Sequence, residues 1–312
     1  MTTLPRRDFL LAAAGAVALP ALAEEAKPAF PIIDTHQHLW DLEKFRLTWL
    51  KKGDPLARSF VPSDYAAAVK GLGVTQSVYL EVDVVPEQQL AEAEYVIGLC
   101  KNPDSLTRAA VIGGRPGADD FGKYIRRFKG SDYVKGLRRV LHGGDTPGGS
   151  CLDKAFVKGV QLLGDLGLHY ELCMRADELP DATKLIDACP GTKFVLDHCG
   201  NPDLVKNAKW KKDLADLAKR KSVVVKVSGI VASAPPKWTD ADLAPVVDHT
   251  LDTFGPDRVM FGSDWPVCLK ASSIAKWVEA LKRIVADRKA EDQRKLFHDN
   301  AMKVYRLAVV KR

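Results

Sequence analysis

The chain has 312 residues, 46% of them hydrophobic, with 46 Lys and Arg against 40 Asp and Glu for a formal charge of +6. Such a chain is long and apolar enough to bury a sizeable core, which excludes an intrinsically disordered or small disulfide-stapled protein. Its mild positive charge is spread along the chain and not clustered, so nucleic acid is not an expected partner, while a small anionic substrate is compatible with it.

The first residues read as an address. Pro5-Arg6-Arg7-Asp8-Phe9-Leu10 is a twin-arginine pattern, followed by an apolar stretch from Leu10 to Leu19 and an A-x-A cleavage site at Ala21-Leu22-Ala23. That stretch is too short to span a bilayer. Residues 1–23 are therefore expected to be a signal peptide, handed to the twin-arginine translocase, cleaved near Ala23, and placing the protein in the periplasm. Residues 24–312 are expected to form one domain. The six cysteines, Cys100, Cys151, Cys173, Cys189, Cys199 and Cys268, contain no C-x-x-C pair. Proteins exported by this route fold first in the cytoplasm, where thiols stay reduced, so buried free thiols are expected.

Beyond the signal, short β-branched runs alternate with longer helical stretches. The expected strands are Pro31 to His36, Gln76 to Val82, Thr107 to Ile112, Val134 to Arg139, Leu168 to Met174, Lys193 to His198, Val223 to Ser228 and Arg258 to Ser263. Expected helices include Pro62 to Gly71, Pro86 to Cys100, Leu152 to Leu166, Asn207 to Arg220 and Ala241 to Phe254. Strict alternation over this length predicts parallel strands with crossover helices, and eight such units predict a single-domain α/β fold, the (β/α)8 TIM barrel. The long excursion from Leu39 to Val61, rich in aromatics, lies either over the barrel mouth as a lid or against its rim.

In this barrel, catalytic groups come from the C-terminal ends of the strands. His36, His38, His198 and Asp264 all fall at such ends. His36 and His38, two residues apart, project from the same face of an extended strand. Parity also turns His169, Glu171 and Cys173 inward on the fifth strand, and Val224, Lys226 and Ser228 inward on the seventh. Glu171 and Lys226 then meet as a buried pair, or Lys226 binds substrate. Arg138 and Arg139 face opposite ways; Arg138 shares parity with His142 and is favoured to enter the mouth and clamp a carboxylate or hydroxyl. Asp34 and Asp197 have parity opposite to their neighbouring histidines, so they anchor helices or orient the site from outside it. Trp40 and Trp265 flank the mouth as packing or as a substrate platform.

The runs Asp34-x-His36-x-His38-x-Trp40-Asp41, Lys135-Gly136-Leu137-Arg138-Arg139, Leu196-Asp197-His198-Cys199-Gly200, Val225-Lys226-Val227-Ser228-Gly229 and Met260-Phe261-Gly262-Ser263-Asp264-Trp265-Pro266 together resemble the amidohydrolase-related metal-dependent hydrolases (amidohydrolase family 2). The similarity is to the branch of sugar-lactone and dicarboxylate-lactone hydrolases and covers about Ile32 to Leu307. The resemblance implies a (β/α)8 barrel that hydrolyses a cyclic ester with one divalent metal or none. The wider superfamily often holds two metals, bridged by a modified lysine on strand four and ligated by a histidine at the end of strand five. Here Lys135 and His169 fall at the beginnings of their strands, so a binuclear centre is not expected.

A lactone carbonyl must be polarised while water attacks it. One zinc or manganese ion on His36, His38 and either Asp264 or His198 would leave a position for water; without metal, the histidines would polarise the carbonyl directly. In both versions Asp264 is the expected proton acceptor, with His198 beside it. The expected substrate is thus a small lactone or organic acid, with Arg138, Lys226, Trp40, Trp265 and His142 as candidate binding residues. A zinc-dependent non-oxidative decarboxylase of an unsaturated acid would use similar residues. A catalytically disabled periplasmic binding protein is the alternative of another class, and the intact set of three histidines and an aspartate argues against it.

Overall fold

The computed structural model describes Met1 and residues 30–144 and 146–309. The proposed signal peptide and its cleavage point, apart from Met1, lie outside the described residues. Eight strands form one parallel sheet in chain order: β1 (Ile32–Gln37), β2 (Val74–Leu80), β3 (Thr107–Gly113), β4 (Val134–Val140), β5 (His169–Cys173), β6 (Phe194–Leu196), β7 (Val223–Val227) and β8 (Val259–Phe261). Helices alternate with them: α1 (Pro62–Ala68), α2 (Gln89–Lys101), α3 (Phe121–Arg126), α4 (Lys154–Asp165), α5 (Leu179–Ala188), α6 (Ala208–Leu217), α7 (Asp240–Phe254) and α8 (Ile274–Ile284). The result is a nearly closed barrel with a helical jacket, as the alternation predicts. No helix among the described residues is long and apolar enough to cross a membrane.

The helices form for local reasons. In α4, Phe156, Val160 and Leu163 repeat at helical spacing and are buried, while α8 begins where the Ser273 hydroxyl accepts the Lys276 N–H at 3.1 Å. Thr239 and Asp242 make a capping box at the start of α7. These apolar stripes cover the outside of the barrel. A second, smaller apolar cluster fills the lumen, with Ile33, Val78, Leu80, Val111, Val195 and Met260 joined by Tyr305 and Leu307 from the C-terminal segment. The barrel is therefore a packed core and not a pore.

The seam between β1 and β8 is built largely by side chains. The Thr35 hydroxyl donates to Phe261 O at 2.6 Å, and Asp34 accepts the Ser263 N–H at 2.8 Å and the Ser263 hydroxyl at 2.5 Å. Beyond the strands, Asp264 N–H donates to His36 O and His38 N–H to Trp265 O, each at 2.8 Å. Asp34 also takes the Tyr65 hydroxyl of α1 at 2.8 Å. Its role is thus the seam itself, which fixes the ends of β1 and β8, the two segments that carry His36, His38 and Asp264. All six cysteines are buried and free, as expected.

Candidate active site

Tight backbone geometry brings the site together. Gly262 follows β8 where an added Cβ would lie 2.6 Å from the His36 Cβ, so only glycine lets the His36 strand approach this closely. Asp264 then adopts a left-handed backbone with φ 56°, which swings its carboxylate over the lumen. Asp83, His198, Cys199 and Asn201, all just past strand ends, also have positive φ.

Asp264 Oδ1 stands 3.4 Å from His38 Nε2 and 3.8 Å from His36 Nε2. His38 Nδ1 lies 2.9 Å from Leu80 O; a carbonyl only accepts, so Nδ1 carries a hydrogen and Nε2 is the atom turned to Asp264. His36 Nε2 lies 3.3 Å from Arg138 Nη1, which only donates, so this nitrogen accepts. Burial, with Lys226 and His198 nearby, holds the His36 imidazole well below its usual range and therefore neutral. His198 is likewise lowered by burial, and its Nδ1 is 3.0 Å from the Ser228 hydroxyl.

These atoms face a cavity of about 430 Å³ whose wall includes His38, Trp49, Asp83, Arg138, His142, Cys173, His198, Asn201, Asp264 and Lys270. His142 is drawn below the usual imidazole range by loss of water around its ring and by His198 and Arg138, although the residue as a whole stays exposed at the mouth.

Several expectations change. Lys226 was open to either role; it lies fully buried below the cavity, paired with Glu171 at 2.5 Å and Asp197 at 3.2 Å, so it makes the lumen pair and does not reach the cavity wall. Glu171 in turn accepts from Tyr305 at 2.8 Å and contacts His169 at 3.0 Å. Asp197 is not outside the site. Its Oδ1 is 3.3 Å from His36 Nδ1 and its Oδ2 3.3 Å from Arg138. Burial alone would raise its pKa, but Lys226, His36 and Arg138 outweigh burial and hold it well below the carboxylate range. Parity fails here because His198, the next residue, has φ 54° and turns back over the mouth, so neighbours reach the same site.

Trp40 and Trp265 are not a substrate platform. Both are buried and stack edge-on against Phe60, with centroids 5.1 and 5.4 Å away. Within the same Leu39 to Val61 excursion it is Trp49 that reaches the cavity, its ring held by an Nε1–H bond to Val82 O at 2.8 Å. Arg138 does enter the lumen, but its guanidinium is bound by Glu81 Oε1 at 2.6 Å and Glu81 O at 2.8 Å, while Arg139 pairs with Asp83 at 2.8 Å. Glu81 was missed; its signal is an acidic residue inside the apolar run Val78 to Val85. Lys135 and His169 sit at the start of β4 and β5, remote from this mouth, as expected.

His36, His38 and Asp264 suit a divalent ion, since one donor atom from each lies within 4.8 Å of the others and all three residues are buried. A tetrahedral zinc site with bonds of about 2.1 Å has ligand edges of about 3.4 Å, against 3.4 and 3.8 Å for the two imidazole–carboxylate edges here. With its hydrogen on Nδ1, His38 has Nε2 as the nitrogen left to ligate, and His36 is held neutral by burial. The residues fit one metal; a second group, His36, Asp197 and His198, shares His36 and has Lys226 against its carboxylate.

Comparison with known proteins agrees with this geometry. L-fucono-1,5-lactonase of Burkholderia multivorans is 29% identical over 292 residues, spanning 88% of this chain and 96% of that protein. The crystal structure of an amidohydrolase from Burkholderia multivorans with bound zinc has a TM-score of 0.81 at 26% identity, covering 89% of this chain and 100% of that one. 5-carboxyvanillate decarboxylase of Novosphingobium aromaticivorans, solved with manganese, shares the fold at a TM-score of 0.62 and 15% identity, covering 89% and 96%. The family model described as amidohydrolase matches residues 33–307, the whole barrel with its seam, its mouth and its C-terminal plug, and the chain belongs to that family.

Proposed function

We propose that the protein is a lactonase that opens a sugar-acid or dicarboxylate lactone in the periplasm. The observation that carries the reading is Asp264: it is 3% exposed, sits at the cavity wall against the Nε2 atoms of His36 and His38, and its carboxylate is committed to no hydrogen bond among the described residues. A carboxylate so placed is free to accept the proton of an attacking water. The lactonase among the similar proteins supports the reaction class.

His36, His38 and Asp264 would hold a divalent ion, and such an ion, when bound, supplies Lewis-acid polarisation of the carbonyl and acidifies water. The chain's own residues do the rest. Asp264, turned over the lumen by its left-handed backbone, takes the proton from water. Asp264 then returns that proton to the leaving ring oxygen, while His198, fixed by Ser228, is placed to hydrogen-bond the oxygen as the ring opens. Arg138, tied to Glu81 and Asp197, is held in place at the cavity wall. The cavity volume suits a five- or six-membered lactone with its substituents.

The test is acid release from aldonolactones and unsaturated carboxylated lactones by the purified protein, before and after chelation and after zinc or manganese is returned. Ring opening that disappears in Asp264→Asn supports the proposal; release of carbon dioxide from an unsaturated acid, with every lactone untouched, would replace it with the decarboxylase reading. For the export signal, N-terminal sequencing of periplasmic protein is expected to begin at Glu24, and a start at Met1 would remove that part.

A further inference from the structure

Several polar groups around the cavity are tied to protein partners. Asp83 is held by Arg139 at 2.8 Å and Arg138 by Glu81 at 2.6 Å. Asn201 donates its amide to Met174 O at 2.8 Å, and Ser233 its hydroxyl to Ile230 O at 3.3 Å. Lys270 differs. It closes the short turn Val267–Lys270 that follows Asp264, belongs to the cavity wall, and is exposed there with no side-chain hydrogen bond or ion pair to any described residue.

From its place we infer that Lys270 captures an anionic substituent of the substrate, and that the site takes a lactone carrying an acidic group in preference to a neutral one. The inference rests on the lactonase reading and narrows its substrate class. A flat, unsaturated ring asks for apolar faces, which Trp49, Val82, Val140 and Val267 provide. Its acidic group is repelled by Asp264 and drawn to the one uncommitted ammonium, whose long stem lets the charge meet it at the rim. The opposite charges of Asp264 and Lys270 on the cavity wall thereby orient the ring, with the carbonyl toward Asp264 and the acid toward Lys270.

The experiment compares an unsaturated γ-lactone bearing a carboxymethyl group, its methyl ester and an aldono-1,5-lactone as substrates of the full chain, Lys270→Met and Lys270→Arg. The wild-type protein is expected to favour the acid over its ester by roughly tenfold or more in kcat/KM, carried by KM, as for a charge-assisted hydrogen bond. Lys270→Met should bring that ratio close to one, Lys270→Arg should keep most of it, and added salt should narrow it. Equal rates on acid and ester, a ratio that survives Lys270→Met, or faster opening of the aldonolactone would overturn the inference. If the wild-type protein opens no lactone, the lactonase reading fails separately. Calorimetric titration with the carboxymethyl cyclopentanone that copies the ring without its ester oxygen then decides the anion site: tighter binding to wild type than to Lys270→Met retains it, and equal or absent binding removes it.

Discussion

Inside the barrel, Lys226 is met by Glu171 and Asp197, and Glu171 by His169 and Tyr305, so buried charge is matched by partners on the strands and the C-terminal segment. At the mouth, Asp264 faces two imidazoles across 3.4 and 3.8 Å without a hydrogen bond, and it does so from a left-handed backbone. Both regions are polar and buried, yet one is internally satisfied and the other leaves lone pairs aimed at open space. Full pairing makes a region a structural support; incomplete pairing beside a cavity leaves groups available for chemistry.

The largest expected effect tests the open half. Asp264→Asn keeps the size of the side chain and removes its basicity, so kcat on a responsive lactone should fall by roughly 10²- to 10⁴-fold, with the thermal midpoint nearly unchanged. A drop in folding stability of similar weight would mean that Asp264 belongs with the satisfied lumen. The converse holds for Lys226→Met, which leaves Glu171 and Asp197 facing each other without their cation. Breaking such a buried pair costs about 3–5 kcal/mol, to be read from urea unfolding. A variant as stable as wild type that has lost only substrate affinity would return Lys226 to the substrate-binding role that the lumen pair now replaces.

The same division explains what could be read in the sequence. Parity along the strands placed Glu171 and Lys226 together and turned Cys173 and Ser228 inward, because successive residues of a regular strand alternate faces. All eight strands were legible from β-branched runs between helical stretches. Parity misjudged Asp197 because it stops at the last extended residue: His198 and Cys199, each at φ 54°, reverse the alternation, and no pattern in Leu196-Asp197-His198-Cys199 announces a left-handed turn. The Leu39 to Val61 excursion was read as a lid or a rim segment, but not that Trp49 is its residue at the cavity, because the path of a long connection depends on tertiary contacts such as the Trp40–Phe60 bridge and not on local period. Lys270, on the short turn after Asp264, carries no periodic signal.

A smaller effect is expected where support meets chemistry. Gly229, with φ 68°, lies against the His198 ring, and a Cβ there would sit 2.3 Å from Nδ1. Gly229→Ala must displace the ring or the backbone beneath it, taking His198 off the Ser228 hydroxyl that fixes it at 3.0 Å. A displacement of about 1 Å lowers kcat/KM by roughly 100-fold. Ser228→Ala, which frees the ring without pushing it, should cost less. If Gly229→Ala unfolds the protein instead, the Ser228 variant alone reads the positioning of His198; full activity in both would show that His198 need not be held.

Glu92 adds a third way of keeping a carboxyl in the interior and makes the finest test of the comparison. On the first turn of α2 it is 1% exposed; its Oε1 accepts the Tyr79 hydroxyl and the Val82 N–H, each at 2.8 Å, and its Oε2 has no partner. Burial, reinforced by the adjacent Glu81, raises its pKa from 4.5 to about 8. Glu81 has Arg138 as its cation, and Glu92 is left to keep its proton. Because the folded pKa is the higher one, this proton favours folding fully below the unfolded value near 4.5, and the advantage is lost as pH rises toward about 8. One proton corresponds to a slope of about 1.4 kcal/mol per pH unit in unfolding free energy across that window. Glu92→Gln mimics the protonated acid, so urea unfolding of this variant from pH 5 to 8 should lose that slope and end more stable than wild type at the alkaline side. An unchanged slope would place the proton elsewhere and leave Glu92 ionised, a charge the mouth would then have to balance through Arg138.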